Sequence, residues 1–402
     1  LKSNGQPVFA RPYDVLLRGM AIEAEGAWAE RGWLFMSLCR QLGIDVGLLT
    51  YTPPGQKAPA QVAWCCAALV NGKPYLFDTR IGREIAGPNG EGVATLEEAA
   101  TIPEVLARLD LPGQSPYLTT ASHLSAGKIN VLIDSSPGYL SSRMRLLQDE
   151  LAGKNRMILY RDALDQHDKF AAALGERFGE AELWSLPLEV EYRLFHDSQF
   201  VTSTLFPIQI FDARFPLLSA RLDQLRGELD QAKGKYVKFR KAEQLLLGEK
   251  KTPAPADLRH ALDMYATYFL ALCHLDQHRP DQAEVMFKLA LEELPDPKGN
   301  GPIYELFRWG VESNLARLYD AKGDTRQAIA YYCQFTPTLQ HHGNLLRARE
   351  LLWLDPMAPP ADPLPPAPPP KRFGPAPAPN VAPAGGPALA PSAPDAAAAS
   401  PG

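Results

Sequence analysis

Gly26-Ala27-Trp28-Ala29-Glu30-Arg31-Gly32-Trp33-Leu34-Phe35-Met36-Ser37-Leu38-Cys39-Arg40-Gln41-Leu42-Gly43-Ile44 opens the stretch that decides the fold, which runs on to Asp78. Trp28, Phe35, Leu38 and Leu42 recur at helical spacing, so a helix with one buried apolar face is predicted, stopping at Gly43. Asp45 to Tyr51 (DVGLLTY) is β-prone. Val62 to Val70 (VAWCCAALV) and Lys73 to Thr79 (KPYLFDT) flank Asn71-Gly72. That dipeptide tolerates the two positive φ angles of a tight hairpin turn better than any other ordinary pair. A helix, a strand and a hairpin are therefore expected to form the core of the first region.

The order of these pieces resembles the transglutaminase-like (transglutaminase/protease) superfamily over roughly residues 11 to 90. The usual pattern there is a Gly-x-Cys helix start, a Leu-Gly-Ile step, a His-Ala-Trp strand and a strand ending in Trp-x-x-Asp-Pro. Leu42-Gly43-Ile44, Ala63-Trp64 and Asn71-Gly72 fit it. The resemblance implies a catalytic Cys at the position held by Trp28, a His at that held by Val62, and a third member at Asp78. Two of the three are replaced. Thiol acyl transfer needs a thiolate and a base within hydrogen-bond reach, and neither an indole nor an isopropyl group does either job. Histidines stand at 123, 167, 196, 260, 274, 278, 341 and 342, so none lies in residues 1–112. The expectation is an enzyme fold that has lost its chemistry, and not an active enzyme.

Cys39 shares the helix but lies near its C-terminal end, where the helix dipole disfavours a thiolate. Adjacent strand residues Cys65 and Cys66 point to opposite faces and cannot bridge each other. The five cysteines (39, 65, 66, 273, 333) match no metal-ligand spacing and no even disulfide framework. A relocated thiol site, with Cys39 or Cys66 served by His123, is the enzymatic alternative. No phosphate loop, zinc-protease helix, nucleophile elbow or EF-hand pattern occurs. No cofactor and no metal are expected, and the side chains of His341-His342 diverge too far on a helix to share an ion.

With 46% hydrophobic and 22% charged residues over 402 positions, the chain has material for two or three ordinary cores. A net charge of −5 offers no electrostatic reason to bind nucleic acid. The one basic run (Lys233, Lys235, Lys238, Arg240, Lys241) reads as a solvated helix face. No window is long and apolar enough to cross a bilayer. The first residue is Leu1, which suggests that a native N-terminus precedes it, so compartment is undecided between cytoplasmic and extracytoplasmic.

Past residue 112, Ile129 to Ile133 and Arg156 to Tyr160 read as strands, and Leu140 to Leu151 and Ala163 to Phe178 as helices. Leu183 to Phe195 partly alternates, with Pro187 demoting part of it to an edge. A single helix is predicted from Leu217 to about Leu247, with Leu218, Leu222, Leu225 and Leu229 on its stripe.

Two helix-turn-helix units then repeat the same small and large positions. Leu270, Ala271, Ala283, Phe287, Ala290 and Pro295 mark the first; Leu315, Ala316, Tyr319, Ala328 and Tyr332 mark the second. Ala271 to Ala283 and Ala316 to Ala328 are both twelve residues apart. This pattern resembles tetratricopeptide repeats, with Thr267 and Phe335 as departures. Such a resemblance implies a concave surface for a protein or peptide; the competing expectation is that the units only pack on their own neighbour. Two units are too few for a self-sufficient array, so the preceding long helix and Leu345 to Leu354 are expected to cap it. From Asp355 onward, 17 of the 38 prolines fall in 48 residues, a composition expected to stay disordered.

The expected organisation is α+β and multidomain: a degenerate transglutaminase-like α+β domain over 1–112, an α/β region without assigned role over 113–216, a TPR-like α-region over 217–354, and a Pro/Ala-rich tail over 355–402. The expected function is a non-catalytic adaptor or scaffold, with an envelope-associated structural protein or the relocated thiol enzyme as alternatives. Oligomeric state is left open.

Overall fold

In the computed structural model, the described residues are 27–53, 61–111, 116–135, 137–151, 156–185, 216–242, 256–294, 302–334 and 339–354, with short isolated pieces between them. The fold is mixed α/β, with a sheet region first and a helical region after it. The expected tail, Pro295 and Phe335 lie outside the described residues.

Helix α1 (Ala27–Gln41) ends in a Schellman turn: Ile44 N–H donates to Cys39 C=O (2.9 Å), Gly43 N–H to Arg40 C=O (2.9 Å), and Gly43 takes φ +77°. Strand β1 (Asp45–Tyr51) follows, then β2 (Val62–Val70) and β3 (Lys73–Asp78) joined by Asn71 (φ 52°) and Gly72 (φ 73°). Both turn residues are left-handed, as the two-residue hairpin requires. Strands β4 (Arg83–Glu84), β5 (Ile129–Asp134) and β6 (Phe178–Trp184) complete one six-stranded sheet of order β4-β3-β2-β1-β5-β6. Only β5 and β6 run parallel. Strands from both sides of residue 112 thus share one ladder.

Both faces of the sheet are covered, which explains why β2 reads as an unbroken apolar run. One face meets α1 through Trp33, Met36 and Cys39, packed with Val46, Leu48, Cys66 and Trp184. The other carries Leu49, Trp64, Cys65 and Leu76 under short helices α2 (Leu96–Thr101), α3 (Pro103–Ala107) and α4 (Ala121–Ala126). Cys65 and Cys66 do occupy opposite faces. The expected buried stripe of α1 is displaced, because Leu38 is 58% and Leu42 76% exposed. The helix has rotated to bury Trp33 and Met36, whose bulk fills the space above small residues of β2.

Three expectations between residues 137 and 196 fail. Arg156 to Tyr160 forms no strand. Its backbone is satisfied by side chains instead: Gln41 exchanges hydrogen bonds with Ile158, and the Gln148 Oε1 accepts from Leu159 and Tyr160 N–H. Helix α5 (Ser142–Glu150) falls where one was expected, but α6 (Ala163–Leu174) stops four residues early at Gly175 (φ 55°), which frees Phe178 to open β6. Of Leu183 to Phe195, only Leu183 and Trp184 belong to a strand, while residues 188, 191–192 and 195–196 are helical.

The predicted helix from Leu217 to Leu247 is two helices, α7 (Pro216–Leu225) and α8 (Leu229–Lys241), broken at Gly227 (φ 82°). Leu222 and Leu225 are exposed; Leu217, Ala220, Ala232, Tyr236 and Phe239 make the core contact. Helices α9 (Ala256–Asp276), α10 (Pro280–Glu292), α11 (Pro302–Lys322), α12 (Thr325–Tyr332) and α13 (Leu339–Leu354) follow. Each packs on the next, and one core runs from Leu217 to Leu351.

The pairs α7/α8, α9/α10 and α11/α12 repeat one geometry. Ala220 and Ala232, Ala271 and Ala283, and Ala316 and Ala328 are all fully buried, at the same separation of twelve. Tyr236, Phe287 and Tyr332 each lie four residues beyond the second alanine. Seven residues beyond the first come Gly227, His278 (φ 56°) and Gly323 (φ 76°), each the left-handed residue of a Schellman turn. The described residues therefore hold three hairpins in one register, not two.

Candidate functional site

Asp78, the third position implied by the family resemblance, ends β3 with no exposed surface. Arg80 grips it three ways: backbone N–H to Oδ1 (3.0 Å), Nε to Oδ1 (2.9 Å) and Nη2 to Oδ2 (2.5 Å). Tyr117 donates its hydroxyl to Oδ2 (2.6 Å), and Trp64 Nε1–H donates to that hydroxyl (3.0 Å). The Tyr117 hydroxyl is pushed well up by burial first and by the Asp78 carboxylate next. Burial disfavours the Arg80 charge, yet Asp78 overrides this and holds it protonated. Every lone pair that could orient a catalytic imidazole is thus engaged by a fixed cation and a phenol.

Trp28 lies in the first turn of α1, with its side chain outside the described residues; Val62, half-buried, opens β2. One helical turn past Trp28, Gly32 brings α1 against the sheet, where a Cβ would stand 3.4 Å from Thr79 Oγ1 and 3.7 Å from Cys66 Sγ. Cys66 and Cys65 have no exposed surface, and burial raises both thiols well above their ordinary value. Burial also raises Cys39. The Cys66 thiol has Gly32 C=O as its hydrogen-bond partner (3.9 Å), while His123 stacks on Tyr51 with centroids 5.8 Å apart.

An imidazole does approach this region from far along the chain. His342 on α13 lies 6.4 Å, ring to ring, from Tyr117, and its Nε2 bonds Leu109 C=O (2.6 Å). A carbonyl only accepts, so Nε2 carries the proton. Burial is the main cause that lowers its pKa, with Leu109 and Asp78 opposing. His341 is lowered by burial too. Among the described residues, no three His, Cys, Asp or Glu side chains are grouped to hold a metal.

Helix α13 belongs to both regions. Leu345 and Leu346 are buried in the sheet core, and Ala348 and Leu351 in the helical core. Arg31 Nη2 donates to Gln340 Oε1 (2.8 Å), Arg349 donates to the carbonyls of Arg108 and Asp110, and Arg83 pairs with Glu350 (2.8 Å). Gly343 makes the approach possible, since a Cβ there would meet Ile81 C=O at 1.9 Å. Through this helix the helical region packs directly on the sheet.

Leu270, Ala271, Ala283, Phe287, Ala290, Leu315, Ala316, Tyr319, Ala328 and Tyr332 all lie in the helical core. They are packing residues, gathered as the spacing required. Sequence reasoning missed Arg80, Tyr117 and Trp64 as one network, because their contacts span up to 53 residues. It also missed the first hairpin, although Ala220, Gly227 and Ala232 already carried its signature.

No protein-family model, curated protein or solved structure matches this chain. No helix among the described residues is long and apolar enough to cross a membrane.

Proposed function

We propose that the chain is a non-catalytic adaptor: a degenerate transglutaminase-like α+β domain carrying tetratricopeptide-type hairpins that engage a protein or peptide partner. The observation that carries it is the common register of the three helical hairpins, each with a buried alanine pair twelve residues apart. Stacked pairs of this kind form extended surfaces that suit peptide binding. The adaptor reading needs no nucleic acid and no cofactor.

The sheet region supports the same reading by what its side chains are committed to. Asp78 is saturated by Arg80 and Tyr117, and Cys65 and Cys66 are sealed in opposite cores with raised thiols. A thiol-enzyme alternative would need a nucleophile that solvent and substrate can reach.

The test is chemical cross-linking of the full chain in native lysate, followed by mapping of the linked residues. Near-stoichiometric cross-links from one protein, concentrated on residues 216–354, support the adaptor. Cross-links confined to the sheet region, or no stoichiometric partner at all, refute it.

A further inference from the structure

Among the described α-helices of eight or more residues, α5 alone buries none of its side chains. Its apolar residues face solvent: Leu146 is 67% and Leu147 47% exposed, and Leu140 before the helix and Met157 after it are exposed too. Hydrogen bonds set this helix beside the end of α1. Gln148 Oε1 accepts from the N–H groups of Leu159 (2.8 Å) and Tyr160 (3.0 Å), which ties α5 to the segment carrying Met157. Gln41 exchanges hydrogen bonds with Ile158 (3.1 and 2.9 Å), which ties that segment to α1 between the exposed Leu38 and Leu42. The three pieces are neighbours, so their exposed apolar side chains belong to one surface.

That surface is basic in a chain that is acidic as a whole. Residues 140–161 hold five basic side chains and two acidic ones, against a net charge of −5 for the full chain. Arg143, Arg145 and Arg156 are exposed, and no carboxylate pairs with them among the described residues. Arg145 stands over the Tyr160 ring instead, 5.8 Å from its centroid. The two acids, Asp149 and Glu150, close the last turn of α5, away from Arg143 and Arg145 at its start. Leucines that solvent reaches, collared by guanidinium groups that no acid neutralises, suit an anionic lipid surface. The leucines enter the boundary between headgroups and acyl chains, and the guanidinium forks meet phosphate oxygens. A peptide partner calls for a groove, whereas a helix with every described side chain at least partly exposed offers a convex face.

We propose that α5, Met157 and the end of α1 form a docking surface for an anionic phospholipid membrane, on which the protein adsorbs without spanning the bilayer. The surface lies outside the helical hairpins, so it stands or falls separately from the adaptor reading.

The experiment is co-sedimentation of the full chain with vesicles of equimolar phosphatidylcholine and phosphatidylglycerol, and with vesicles of phosphatidylcholine alone, at low and high salt. Binding to the anionic vesicles is expected, weakened by salt, with little on phosphatidylcholine alone. Arg143→Gln/Arg145→Gln and Leu146→Ser/Leu147→Ser should each lower the partition coefficient about tenfold or more. All four side chains are exposed, so both variants keep their fold, which far-UV circular dichroism checks. Lys238→Gln/Lys241→Gln removes the same charge from the exposed basic run of α8 and should leave binding unchanged. No binding to anionic vesicles, binding that either α5 variant leaves intact, or an equal loss in the α8 variant overturns the proposal. So does a dimer in sedimentation velocity that Leu146→Ser/Leu147→Ser abolishes while vesicles are ignored, since a second copy would then be the occupant.

Discussion

Replacing Gly343 by alanine tests the docking of α13 on the sheet most directly, because the usual sign of the substitution is reversed there. Inside a helix, Gly→Ala ordinarily stabilises by about 0.8–1 kcal/mol. At Gly343 the new Cβ would lie 1.9 Å from the carbonyl oxygen of Ile81 and 2.9 Å from its carbon, backbone atoms that cannot swing aside. Ordinary contact begins near 3.4 Å, so α13 must retreat by the difference, 1.5 Å. That movement breaks the Arg31–Gln340 and His342–Leu109 hydrogen bonds, worth about 0.5–1.5 kcal/mol each. It also uncovers part of Leu345 and Leu346, whose full burial is worth about 1.5–3 kcal/mol apiece. Net of the helix gain, Gly343→Ala should destabilise by about 2–4 kcal/mol. Gly234 in α8 is the control: nothing lies within 4 Å of its added Cβ, and Gly234→Ala should stabilise by about 0.5–1 kcal/mol. Urea denaturation followed by far-UV circular dichroism reads both. A Gly343→Ala protein as stable as the parent, beside a stabilised Gly234→Ala protein, would show that α13 is not seated against Ile81.

Asp78→Asn strands the buried Arg80 guanidinium and should cost about 3–5 kcal/mol, against about 1–2 for Tyr117→Phe, by the same denaturation. Equal losses would deny the carboxylate its role as anchor. Acid should loosen the junction through His341 and His342, whose pKa values burial lowers below the ordinary 6.5. A lowered folded pKa contributes stability that is complete above the unfolded value and lost as pH falls through the folded one. Around His342, Asp78 and Asp110 oppose this lowering, while Arg349 adds to it. The urea midpoint should therefore drop from about pH 7 to about pH 5, and drop less in the His341→Gln/His342→Gln double variant; identical slopes would exonerate the pair. His278 occupies the left-handed position that Gly227 and Gly323 hold in the sister hairpins, so His278→Gly should stabilise by about 0.5–1 kcal/mol. Destabilisation would mean that the imidazole makes a contact worth more than the backbone strain.

What the sequence made legible was local. Asn71-Gly72 specifies its turn through its own φ preferences, and Gly43 its helix stop, so the hairpin and the end of α1 could be read from a few neighbouring residues. The alanine spacing was legible for the same reason, since twelve residues is the span of one hairpin. What was not legible depends on partners distant in the chain. The buried face of α1 is chosen by Trp184 and Leu48, not by the helix's own apolar stripe. Arg156 to Tyr160 looks β-prone, yet Gln41 and Gln148 satisfy its backbone before any strand does. Gly227 lies within the leucine stripe of 218–229, and a positive φ at that one residue turns a long helix into a hairpin.

The surroundings of Asp78 depend on such distant partners too. A carboxylate that orients a catalytic imidazole must leave a lone pair free for it. Here Asp78 gives both oxygens away, and the phenol that takes one of them is itself held by Trp64 on the neighbouring strand. An arginine two residues on turns that carboxylate into a structural clamp. The clamp then offers its backbone: Arg80 C=O accepts from Arg31, Arg31 reaches Gln340, and Gln340 reaches Asn344. This residue set ties the sheet to the last helix. Any movement that draws α13 away from Ile81 must break that chain of hydrogen bonds, so the seating of α13 and the stability of the sheet are coupled through these few side chains.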